Sequence, residues 1–263
     1  MINQKHPDIV INRFGAKVLQ KFTSSYRIFI EEATNLDLIL IFILSAEHKN
    51  KTKIKNDLLT NVLEEKEPNA ASNAFNMYLI SEKSDEIFKA ENYEVFFGQM
   101  AYSRIVDNAL CYLKDILSEV VKREPKTLKS LKEQKTHDFI LSFSTIEELI
   151  KAISDKKIKE LFYKGVDDIK KFFKSHLNVD IFENEQDEKD FSMIVKQRNI
   201  IVHNRGIISQ ELTDEFPFYK EKVGNKMIFG YRDISVANKI INNLIVDLDI
   251  KLREKYALPI YDV

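Results

Sequence analysis

The chain has 263 residues, 44% of them apolar and 31% charged, with a formal net charge of −1. This is the composition of a globular chain with ample length for a core, and it excludes both a disordered segment and a protein that gathers nucleic acid by overall charge. Six glycines and five prolines are too few for an all-β or doubly wound chain, and one cysteine, Cys111, excludes an intramolecular disulfide framework.

Residues 1–92 are expected to form an N-terminal, mostly helical region. "FGAKVLQKFTSSYRIFIEEA", from Phe14 to Ala33, has helical spacing. The run Leu38–Leu44, "LILIFIL", is too short to span a bilayer and reads as a buried helix or strand. The start of the chain has no basic-then-apolar leader pattern, so a cytoplasmic chain without a membrane partner is expected. A charged helix is predicted near Lys53–Glu65, followed by a loop at "EPNAASN". Residues 75–95 fit no single pattern.

The second region, 93–258, is more sharply patterned. Ser103, Val106, Leu110, Leu113, Leu117 and Val120 recur at steps of three and four, which predicts one long amphipathic helix over about 96–122, ended by Pro125. "KREPKTLKSLKEQK", 122–135, is locally basic and reads first as a solvated stretch, with a backbone-tracking role for RNA as the alternative. The same holds for the lysines of 151–174. Thr145 and Glu148 have capping-box spacing. Short helices are predicted at 155–163 and 166–177, split by Gly165. The acids of "ENEQDEKD" suit a first helical turn, so a helix should start near Asn184 and stop near Gly206. "KVGNK" suggests a small β-hairpin near 216–231. A last helix should run from Ser235 to about Lys255. The fold class is therefore all-α.

Within the helix that starts near Asn184 lies "QRNIIVHNRGI", Gln197–Ile207. At about 100° per residue, Phe191, Ile194, Val195 and Val202 form an apolar stripe with Arg198 near its centre. Asn199 and His203 are one turn apart and are neighbours. Arg198 and His203 are five apart, about 140° around the axis, and converge only if the Arg stem curls or a second copy of the helix faces the first. A guanidinium on an apolar stripe needs a partner. One reading is structural: Arg198 pairs with a carboxylate of the long helix such as Asp107, and His203 caps helix-end carbonyls. The other is nucleolytic. Arg gives planar, bidentate contact to phosphate, His moves a proton, and a neighbouring amide orients either group or a ribose hydroxyl. With 8 Arg and 5 His in the chain, one pair at fixed spacing is expected about 0.15 times by chance. Requiring Asn at 199 and 204 lowers this to about 0.001.

The string "RNIIVHN" resembles the R-x4-6-H motif of HEPN domains in its form with Asn after the Arg. The longer stretch "DIKKFFKSHLNVDIFENEQDEKDFSMIVKQRNIIVHNRGIIS" is similar to the prokaryotic branch in which two helices precede the motif. The likeness covers roughly 95–255. It implies a HEPN helical bundle that forms a homodimer through the motif face, and a metal-independent endoribonuclease of a toxin, abortive-infection or other antiviral defence system, with an antitoxin or defence-complex partner. Carried over, Arg198, Asn199 and His203 are the catalytic set, Asn204 and Arg205 contact substrate, and the product ends are a 2′,3′-cyclic phosphate and a 5′-hydroxyl. No cofactor is implied. A non-catalytic HEPN module that binds a partner protein or nucleotide is the alternative, and an enzyme or target of nucleotidyl transfer is a third.

Other candidates carry less. His6, His48, His137 and His176 have no carboxylate or Cys at metal-ligand spacing and read as surface or capping residues. Cys111, beside Leu110, reads as a small core residue. No glycine-rich phosphate loop is present, which argues against ATP or GTP hydrolysis.

Overall fold

The computed structural model describes residues 8–11, 17–48, 90–129 and 137–262. The expected helix at Lys53–Glu65, the "EPNAASN" loop and the end of the basic stretch lie outside these residues. The described chain is α-helical, with two short antiparallel strand pairs.

The central element is α2, Ala90–Arg123. Strands β1 (Ile9–Ile11), β2 (Lys17–Leu19) and β3 (Lys21–Phe22) and helix α1 (Ser24–His48) precede it. After it come α3 (His137–Leu141), α4 (Ile146–Lys164), α5 (Val166–Phe172), α6 (Glu185–His203), α7 (Gln210–Glu215), α8 (Tyr231–Tyr256) and β4 (Tyr261–Asp262). Helix α2 packs against α1, α4, α6 and α8, and α6 also touches α8. Its predicted stripe is buried except for Leu110, which is half-buried. Because helices cover it on several sides, Tyr102, Ile105, Ala109, Tyr112 and Ile116 are buried as well.

The segment 14–33 does not form one helix. Residues 17–22 are extended: Ile9 pairs with Leu19, and Phe22 pairs with Tyr261 near the C-terminus. Those partners lie far off in sequence, so helical spacing could not reveal them. Thr23 then starts α1. Its Oγ1 accepts from Tyr26 N–H at 3.2 Å, and its own N–H and hydroxyl donate to the buried carboxylate of Asp249 on α8. Leu19, Phe22, Tyr26 and Phe29 belong to the same buried cluster as α2 and α8. The Leu38–Leu44 run is helical, with Leu38 exposed.

Thr145 caps α4 by accepting from Glu148 N–H, and Glu148 reaches back to Ser144 N–H. No break occurs near 155, and α4 continues to Lys164. A strong cap and an unbroken apolar period make one helix where two were expected. Gly165, at φ 105°, turns the chain into α5, which runs on through a π-helical turn at Phe173–Leu177. Helix α8 starts four residues earlier than predicted because Asp233 accepts from Gly230 N–H at 2.8 Å and holds the first turn. Around 216–231 the chain forms a 3-10 turn, Pro217–Lys222, then a tight turn at Gly224. The antiparallel bridge there joins Lys226 to Ile207, just after α6. Cys111 is exposed rather than part of the core, because Tyr112 and Leu113 take the inward positions of that turn. No described helix is long and apolar enough to cross a membrane.

Candidate functional site

The motif lies on the last turns of α6. Asn184 caps the start of that helix, accepting from Gln186 and Asp187 N–H at 2.9 and 3.0 Å, and Glu185, Asp187 and Glu188 occupy the first turn. Phe191, Ile194 and Val195 anchor the helix in the core. Val202, expected on the same stripe, is 49% exposed, whereas Ile200 and Ile201 of the same turn pack against the core.

Arg198 points toward α2. Its Nη2 lies 2.6 Å from Asp107 Oδ1, the ion pair that the structural reading anticipates. Its Nη1 donates to Asn199 Oδ1 at 3.2 Å. The Nε is buried and makes no hydrogen bond. The side chain keeps 22% of its surface exposed, so the guanidinium is held in place yet reachable. His203 is the last residue of α6. It is exposed and makes no hydrogen bond to the described residues, so the carbonyl-capping role is not seen.

The chain turns directly after His203. Arg205 and Gly206 both have positive φ, 53° and 74°, and Gly206 N–H bonds the Ile200 carbonyl at 3.0 Å. The helix thus stops where Gly206 predicts, with Arg205 sharing the left-handed conformation. Asn204 uses its amide locally, donating to the Ile207 carbonyl at 2.6 Å. Arg205 is exposed. Arg198, Asn199 and Asp107 therefore come together, whereas no bond joins Arg198 to His203 within one chain.

A buried polar layer supports the motif. Tyr102 of α2 donates to Gln197 Oε1, and Gln197 donates in turn to the Tyr219 hydroxyl. Burial pushes both phenols above their usual range, so they remain neutral bonding partners. Gln99 Nε2 donates to the Met227 carbonyl at 2.8 Å. A methyl group at Gly206 would lie 2.2 Å from that same nitrogen, and one at Gly98 would lie 2.2 Å from the Phe229 carbonyl oxygen. Segment 206–229 is therefore strapped tightly across α2. Of this layer, only Gln197 carried a sequence signal: a polar residue beside Arg198 on an otherwise inward-facing turn. Gln99 and Tyr102 had none, since their partners lie about a hundred residues away or more, and Tyr219 had none because its partner Gln197, 22 residues away, sits on a different element.

Among the described residues, no group of three or more His, Cys, Asp or Glu side chains is placed to hold a metal ion. No family model matches the chain, and neither a characterised protein nor a solved structure is significantly similar to it.

Proposed function

We propose that the chain is a HEPN-type, metal-independent endoribonuclease that works as a homodimer, an effector or toxin of an antiviral or abortive-infection system. The observation that carries this reading is the state of Arg198. It is fixed by Asp107 and Asn199, has an unbonded buried Nε, and stays partly open to solvent one and a half turns before an unencumbered His203. Fixed cations cost no reorganisation when charge develops at a phosphorus centre. Within one chain, however, Arg198 and His203 do not meet. A second copy of α6 facing the first brings each Arg toward the other chain's His. The exposed Val202 and Ile207 beside the motif suit such a face.

In that composite site a ribose 2′-oxygen attacks the adjacent phosphorus and the bond to the 5′-oxygen breaks. One imidazole receives the 2′-hydroxyl proton and a protonated imidazole supplies a proton to the 5′-oxygen. Arg198 neutralises the phosphorane charge. The products are a 2′,3′-cyclic phosphate and a 5′-hydroxyl.

A second reading has its own support. The short Asp107 pair and the local bond of Asn204 are what a structural helix terminus needs, so the same face could serve a non-catalytic module that binds a partner protein or nucleotide. RNA cleavage in EDTA, with end-group analysis, separates the two. Cyclic phosphate ends from wild type and none from His203→Ala support the nuclease. A folded wild-type dimer that leaves RNA intact supports the binding module.

A further inference from the structure

Beside the motif helix lies an open cleft of about 900 Å³. Its floor includes Gln197 and Tyr219, and its rim carries Phe218, Ile228 and Val236, which are 60, 71 and 51% exposed. Lys222, Lys226 and Arg232 line the same cleft, all exposed, and none forms an ion pair among the described residues. The one carboxylate lining it among the described residues, Asp233, is engaged with Gly230 N–H. Three cations therefore face one occupied acid. Phe218 lies tilted against Tyr219, with ring centroids 4.1 Å apart and the planes 37° to each other, and Lys222 Nζ lies 5.9 Å from the Tyr219 ring centroid.

We infer that this cleft binds unpaired nucleotides of RNA, with a base on the Phe218 ring and the flanking phosphates at Lys222, Lys226 and Arg232. An exposed aromatic ring beside free cations matches a single strand, because every base offers a π-face and every linkage an anion. A duplex keeps its bases stacked and cannot present one to a ring set in a cleft. A protein segment could cover the apolar rim but would need acids to meet the cations. The volume suits one or two nucleotides. The floor is rigid, since Tyr102, Gln197 and Tyr219 bond one another and Gln99 ties Met227 to α2. Because those polar groups already satisfy one another, recognition rests on stacking and charge and tolerates any base. Met193, Ile194 and Gln197 of α6 line the cleft, so a strand held there lies against the helix that also carries Arg198 and His203, although on a different face of it. The inference takes its biological use from the ribonuclease reading, but its measurement does not depend on cleavage.

The test is fluorescence anisotropy with a labelled 2′-O-methyl oligouridine, which lacks the attacking hydroxyl and cannot be cut, alongside a duplex of the same length. Wild type should bind the single strand in preference to the duplex. Phe218→Ala should weaken binding about tenfold, the loss of one stacked base. The double variant Lys222→Glu/Lys226→Glu should weaken it further and flatten the slope of log K against log salt by about 1.4. Circular dichroism should stay unchanged, because all three positions are exposed. Unaltered affinity in both natively folded variants overturns the inference, as does failure of wild type to bind. So does a Phe218→Ala protein that only loses dimerisation, which would assign the cleft to a second copy. Cleavage of ordinary RNA with cleft-independent binding removes the cleft and leaves the nuclease. Cleft-dependent binding without cleavage does the reverse.

Discussion

Asp249 is fully buried on α8 and accepts from Thr23 N–H at 3.2 Å, from the Thr23 hydroxyl, and from Tyr112 at 3.1 Å. Burial pushes its carboxyl up from 3.8 to about 6, against the opposing pull of these donors and of Arg253. A folded-state pKa above the unfolded one means that the native chain holds the proton more tightly. The added stability is present at acid pH and is lost as pH rises through about 6. The limiting contribution is about 3 kcal/mol at 1.36 kcal/mol per unit, of which about 2 kcal/mol separates pH 4.5 from pH 7.5. Asp249→Asn removes the titration while keeping the shape. Urea unfolding of both proteins at the two pH values isolates the residue, because other carboxyls contribute equally to each. The stability difference, wild type minus Asp249→Asn, should be more favourable to wild type by about 2 kcal/mol at pH 4.5 than at pH 7.5. A difference independent of pH would refute the reasoning, and so would one with the opposite sign.

Two further substitutions probe the frame of the motif. Gly206→Ala places a side chain at φ 74° and 2.2 Å from Gln99 Nε2, and should cost about 2–3 kcal/mol in thermal or urea unfolding. Adding Gln99→Ala should reduce the penalty of Gly206→Ala, because it removes the clash and leaves only the backbone strain. Gly98→Ala meets the Phe229 backbone instead, which cannot swing aside, so it should destabilise the chain by about 1–3 kcal/mol despite the better helix former. Asp107→Asn frees Arg198 from its 2.6 Å ion pair. If the proposed chemistry holds, cleavage should fall about tenfold or more through misplacement of the cation, with stability changed by about 1 kcal/mol or less since both partners are partly exposed.

What the linear order of residues determined by itself is local. The helix that carries the motif, with its Asn184 cap, its acidic first turn and its stop near Gly206, was legible because each signal acts within a few residues. So were the period of α2, the Thr145–Glu148 cap and the possibility of an Arg198–Asp107 pair, since both residues sit on strongly patterned helices. The tertiary structure decided the rest. It drew residues 17–22 into strands by pairing them with the start and end of the chain, a link that helical spacing cannot encode. It exposed Val202 and Cys111, because inwardness depends on which neighbours cover a helix, and not only on its own period. It also turned the aromatic and basic residues of 216–232 into a cleft floored by Gln197 and Tyr219. That cleft exists because Gly98 and Gly206 allow backbones and side chains far apart in sequence to touch, and such contacts can be read only once the chain has folded.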